Sequence, residues 1–137
     1  MANTLRLEIV TPLEEAYSED VQMVVLPGVE GEMGIYPMHI PVMTEIKPGE
    51  LKILKDGIES DFAVGEGFVE ITQTKVTVLT DLAIGVEAID EKAVERAIER
   101  AQSALRNAEA LKAEEIAAAE ATLQRSFVQL RLKRKTK

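Results

Sequence analysis

The sequence predicts an α+β chain whose front half is an antiparallel β-sandwich or barrel and whose back half is helical. Three observations carry this. All eight glycines and all five prolines lie before residue 86, leaving the last 52 residues without either turn-former. Short apolar runs alternating with polar residues recur up to that point and then stop. Beyond it, apolar residues return at three- and four-residue steps, the period of one helix face. The boundary falls near Ala88, separating residues 1–88 from residues 89–137.

Leu5, Leu7 and Ile9 alternate with Arg6 and Glu8, as in a strand with one buried face. Val21 to Leu26 is a β-rich run read as ending at Pro27-Gly28. The stretch LPGVEGEMGIYPMHIP, Leu26 to Pro41, then holds three glycines, three prolines and the sole histidine, His39. Gly28, Gly31 and Gly34 are expected to supply positive φ or close backbone approach, and Pro37 and Pro41 to stiffen the chain beyond them. Glu50 to Lys55 and Ile58 to Val64 flank Asp56-Gly57, a favoured pair for a two-residue hairpin turn. Phe68 to Thr72 and Val76 to Thr80 flank a second tight connection at Gln73 to Lys75. Strands this short and evenly spaced imply a sandwich or barrel.

In the back half Asp90 is the expected helix N-cap. Val94, Ala97, Ile98, Ala101, Leu105 and Ala108 form one apolar face opposite Lys92, Glu95, Arg96, Glu99 and Arg100. A second stripe runs through Ile116, Ala119, Leu123, Phe127 and Leu130. Between them, Asn107 to Glu114 permits a turn without demanding one, so two antiparallel helices and one continuous rod both remain open. Both stripes are rich in alanine and bury little area per turn, which suits a detachable arm.

Composition bounds the function. Hydrophobic residues make up 46% and aromatics only 4%, so the core is aliphatic. The absence of cysteine removes disulfides and thiolate metal sites and fits a reducing compartment. No apolar run approaches the roughly 20 residues of a membrane span, and MANTLRLEIV lacks a signal-peptide core, so a soluble cytosolic chain is expected. Residues 1–88 carry 16 acids and 5 bases, whereas residues 89–137 carry 8 acids and 11 bases. This basic tail on an acidic front points to an acidic partner. Overall acidity and few aromatics disfavour nucleic acid. Catalysis by His39 lacks a cysteine, a second histidine or a GxSxG. Glu14 and Glu15 would face opposite sides of an extended segment, and Glu30 and Glu32 spoil a phosphate cradle. No enzyme is expected.

LPGVEGEMGIYPMHIPVMTEIKPGELKI, Leu26 to Ile53, resembles the signature region of the epsilon subunit of F-type ATP synthases. FVEITQTKVTVLTDLAI is similar to that family's sheet-ending segment, and AIDEKAVERA to the start of its helical arm. The resemblance implies a ten-stranded sandwich followed by a two-helix hairpin, in the central stalk of a proton-translocating rotary enzyme on the cytoplasmic face of the bacterial inner membrane. It further implies contacts to the gamma subunit and the rotor-ring c subunits, with membrane association only through the complex. The arm would lie folded on the sandwich or extend to the alpha/beta catalytic head and block ATP hydrolysis.

The same resemblance assigns residues. Glu32, with His39 in the same loop, would dock on gamma and the ring, Glu32 facing a basic rotor loop. Arg125, Arg131, Lys133 and Arg134 would meet acidic loops of the head and bias the arm toward extension. Some family members bind a regulatory ATP through an I(L)DxxRA motif and arm arginines. Here Ile89, Asp90, Arg100 and Arg125 match, but Ala93, Val94 and Gln129 depart from the pattern. Missing guanidinium groups remove bidentate phosphate contacts, so no resident cofactor is expected and ATP binding should be weak or absent. A free-standing ATP-sensing module is the alternative function.

Overall fold

The computed structural model describes residues 3–135; Lys137 of the basic tail and the Ala108 side chain of the first stripe lie outside the described residues. Ten strands come first: β1 (Leu5–Val10), β2 (Glu15–Val21), β3 (Met23–Gly28), β4 (Gly31–Ile35), β5 (Val42–Ile46), β6 (Gly49–Lys55), β7 (Ile58–Val64), β8 (Gly67–Ile71), β9 (Lys75–Thr80) and β10 (Ala83–Gly85). Two helices complete the chain, α1 (Glu91–Arg106) and α2 (Ala113–Lys135), with short 3₁₀ turns at Val86–Ala88 and Ala108–Ala110.

The strand order is β10-β7-β6-β3-β5-β8-β9-β1-β2, with β4 added to β3. Only one register pair, Gly28 with Ile46, joins β3 to β5. The ladder therefore bends there into two five-stranded layers, one holding β10, β7, β6, β3 and β4, the other β5, β8, β9, β1 and β2. Pairing is antiparallel except between β1 and β9. Alternate residues point inward, and Leu5, Leu7, Ile9, Val24, Leu26, Leu51, Ile53, Val69, Ile71, Val76 and Val78 build the aliphatic core between the layers.

The Asp56-Gly57 turn has φ of 52° and 76°, as its hairpin type requires. The Val21 to Leu26 run behaves differently from expectation. It breaks at Gln22, whose backbone N–H bonds to the Leu54 carbonyl (2.8 Å), and β3 then takes in Pro27-Gly28, ending at Gly28 and not at Leu26. Pro27 is tolerated because its carbonyl alone is called on, accepting from Lys47 N–H at 2.9 Å. The turn falls at Val29-Glu30, before Gly31 with φ of +131°.

Asp90 caps α1, its Oδ1 accepting from Ala93 N–H at 3.1 Å. The Asn107 side chain donates to the Ser103 carbonyl (3.3 Å) where α1 ends, and Glu115 accepts from Lys112 N–H (3.0 Å) where α2 starts. Arg134 near the end of α2 pairs with Glu91 at the start of α1, so the helices form an antiparallel hairpin, not a rod. Val94, Ile98 and Ala101 are the buried positions of α1, as the first stripe predicts. The second stripe needs correction: the deep residues of α2 are Ser126, Val128 and Leu132, while Phe127 is 44% exposed. α2 has α1 beside it at Ala118 and Ala119 and again at Arg134, while its last part also lies over Ala63 of β7, so its buried phase shifts there.

Gly28, Gly31 and Gly34 also divide. A Cβ on Gly28 would lie 2.7 Å from the Gly31 carbonyl, whereas one on Gly34 would meet nothing within 4 Å, and Gly34 has no positive φ. Gly28→Ala should cost about 2 kcal/mol and Gly34→Ala less than about 0.5 kcal/mol in urea unfolding.

Candidate functional site

The segment from β4 to β5 presents an apolar surface to solvent. Tyr36, Met38, Ile40 and Met43 are 61%, 66%, 79% and 65% exposed, four within eight residues of chain where isolated surface hydrophobes would need no explanation. Met38 holds φ at 69°, an uncommon conformation for a side chain of its size. Glu32 lies on the exposed face of β4, paired in register with Pro27. His39 is half-buried, its Nδ1–H donating to the neighbouring Ile40 carbonyl at 2.7 Å. Its bond is local, within the loop, and no nucleophile joins it. The four exposed apolar residues were not singled out by sequence, although their crowding around Pro37 and Pro41 was the available signal.

The basic end of α2 meets acids already within the chain. Arg125 Nη1 donates to Asp81 Oδ2 at 3.1 Å. Arg134 Nε donates to Glu91 Oε1 at 3.0 Å, and its Nη2 lies 3.6 Å from Glu95. Lys133 Nζ donates to the Val86 carbonyl at 3.2 Å. Lys135 Nζ reaches Glu50 Oε2 at 2.8 Å; that hydrogen bond and the Glu50 charge raise the Lys135 pKa, desolvation opposes them, and Asp61 and Glu32 add still less. Arg131 is exposed and joins Lys47, Gln124 and Phe127 around an open depression of about 330 Å³. Asp81, Glu50, Glu91 and Glu95 were missed as arm partners from sequence.

The nucleotide candidates do not converge. Ile89 is buried and belongs to the core under the arm. Asp90 is spent as a helix cap, and Arg125 is paired with Asp81. Arg100 is exposed beside Ala118, Ala119 and Thr122, ten residues and so about 15 Å along α1 from Asp90. Gln129 is half-buried on α2. Among the described residues no group of three His, Cys, Asp or Glu is placed to hold a metal ion, and no buried polar side-chain atom lacks a partner.

A sandwich with an exposed apolar loop and a helical arm bound through surface ion pairs has the make-up of a docking chain. Residues 4–86 match the family described as ATP synthase, Delta/Epsilon chain, beta-sandwich domain. The ATP synthase epsilon chain of Herpetosiphon aurantiacus is 40% identical over 128 residues, 93% of each chain. That of Bordetella avium is 43% identical over 122 residues, 88% of this chain and 84% of the relative. The fold is also shared with a chain in the Euglena gracilis mitochondrial ATP synthase (TM-score 0.74, 21% identity, covering 93% of this chain and 80% of that one). A second likeness is to a chain in the central stalk/c-ring structure of the Tetrahymena thermophila mitochondrial ATP synthase (TM-score 0.54, 17% identity, covering 96% and 95%). The chain belongs to the ATP synthase epsilon chain family, whose members are non-catalytic subunits of the complex.

Titrating the full chain with ATP in a calorimeter should give no saturable heat in the micromolar range, because Asp90 is engaged as a helix cap, Arg125 is paired with Asp81, and Arg100 stands about 15 Å along α1 from Asp90.

Proposed function

We propose that the chain is the central-stalk subunit that couples the rotor ring to gamma in a proton-translocating F-type ATP synthase, and that its arm restrains ATP hydrolysis. The observation that carries this is the exposed apolar segment around Met38 and Ile40, flanked by Glu32, in a chain of this family. Such a surface suits burial against partners, and the proposed ones are gamma and the c subunits of the ring. Glu32 faces a basic ring loop, and His39 shapes the loop beside it. The subunit is then peripheral, on the cytoplasmic face of the bacterial inner membrane, and is held there by the complex.

The arm supplies the restraint by leaving the sandwich and entering the alpha/beta head, where Arg125, Arg131, Lys133 and Arg134 meet acidic loops. In the folded form three of these four are engaged within the chain. They therefore weigh on both sides of the equilibrium. Their effect on extension is the difference between partner acids and internal ones. Complete reversal of such an equilibrium takes about 5.5 kcal/mol of differential binding. The second core is small enough for this: it holds six buried residues among those described, against fifteen between the sheets.

Two outcomes check the reading. Glu32→Lys should weaken binding of the chain to an isolated ring–gamma assembly roughly tenfold, seen by surface binding at fixed salt. Shortening the chain to residues 1–88 should leave that binding intact and raise ATPase activity of the reconstituted complex severalfold; unchanged activity would remove the restraining role.

A further inference from the structure

Among the arm's ion pairs one is built differently from the rest. Asp81 sits in the short turn between β9 and β10. There Thr80, itself 6% exposed, donates its hydroxyl to the Glu66 and Leu82 carbonyls at 3.1 and 3.2 Å, and Gly65 N–H bonds to the Leu82 carbonyl at 3.0 Å. The Asp81 carboxylate lies directly over Gly65, so close that a Cβ at position 65 would overlap Oδ1. Gly65 has no positive φ among the described residues, so its use is the room it leaves for that carboxylate. The turn backbone that carries Asp81 is therefore fixed before Arg125 arrives, which lowers the entropy lost in pairing.

Arg125 is also more shielded than Arg134 and Lys135, its side chain 32% exposed against 56% and 52%. Its position along α2 matters as much. The deepest apolar anchors of the helix are Val128 and Leu132, three and seven residues further on, or about 5 and 10 Å along the axis. Nearer the start of α2, Ala118 and Ala119 lie beside Ala97 and Ala101 of α1. Arg125–Asp81 is thus the ion pair that fastens the middle of α2 to the sandwich, upstream of its apolar anchorage.

We propose that Arg125 and Asp81, seated on the side-chain-free Gly65, form a latch that holds the arm folded, and that ionic competition for Arg125 opens it. This deepens the arm reading above by naming what sets the folded population. It concerns the isolated chain, so it stands or falls separately from any effect on the complex. An anionic surface that outbids Asp81 would release the arm and gain the same guanidinium. Ligand nucleotide is not needed for closure, because the anion is supplied by the fold.

The test uses the full chain, which has no native cysteine. Cysteines replacing the exposed Glu59 on β7 and Gln124 on α2 carry a fluorophore pair that reports the arm's distance from the sandwich. Asp81→Asn and Arg125→Gln should each raise the open-to-folded ratio up to about fivefold. The double substitution should do no more than either alone, and the exchanged pair, Asp81→Arg with Arg125→Asp, should recover part of the closure. Added NaCl should open the parent chain and have less effect on Asp81→Asn. Gly65→Ala, checked for an intact sheet by circular dichroism, should open the arm as Asp81→Asn does. Single substitutions that leave the distance unchanged, or effects that add in the double variant, would overturn the latch. An opened arm in Asp81→Asn with no change in ATPase of the complex would keep the latch and overturn the restraining role instead.

Discussion

Ala63 and Val64 are neighbours in β7 that face opposite ways, and both are fully buried. Val64 points between the two sheets, while Ala63 lies under the helices with Ile89, Val94, Ile98, Val128 and Leu132. A strand alternates its side chains, so β7 carries two cores at once. The small Ala63 side chain lets α2 approach the sheet closely and limits what it gains there. The arm's placement therefore depends on a strand whose own stability comes from the other side. Loss of the arm exposes one face of β7 and leaves the sandwich core untouched.

That separation explains why the surface ion pairs matter here. Exposed pairs contribute about 0.2–1 kcal/mol each, which is negligible beside the main core and comparable with the balance of a weakly docked hairpin. Arg125 with Asp81, Arg134 with Glu91 and Lys135 with Glu50 are all partly exposed. They run from the middle of α2 to its end, where the apolar anchors also lie, Arg134 joining α2 to α1 and the other two joining it to the sandwich. The folded arm is thereby fixed at its C-terminal end and least supported toward Asn107. Neither glycine nor proline interrupts the helices there, so straightening the hairpin meets no helix breaker.

The parts legible in the sequence are those in which one residue type had one physical use. β1, β6 to β9, the Asp56-Gly57 turn and the Asp90 cap all follow from local pattern. β2 was not legible because Glu15–Val21 has a single buried residue, Val21, and so no alternation to detect. β4 and β5 likewise bury only their last residues, Ile35 and Ile46. The ten-strand count and the hairpin came from the family resemblance, not from periodicity. In α2 the spacing of the stripe is misleading, since it assigns Phe127 to a single continuous packing surface that the helix does not have. The acidic partners of the arm were beyond any local reading: Asp81 is 44 residues from Arg125, and Glu50 is 85 from Lys135.

The edge that carries Glu32 and the tip of the arm are mechanically close. Lys135 bonds to Glu50, the neighbour of Gly49; a Cβ on Gly49 would stand 2.8 Å from the Pro27 side chain; and Pro27 is the register partner of Glu32. Glu32 is near enough to add to the attraction that raises the Lys135 pKa. Its contribution is the smallest there: the Glu50 hydrogen bond and charge come first and desolvation outweighs it, so the end of α2 is held through Glu50, and a partner docked on Glu32 would leave that hold in place.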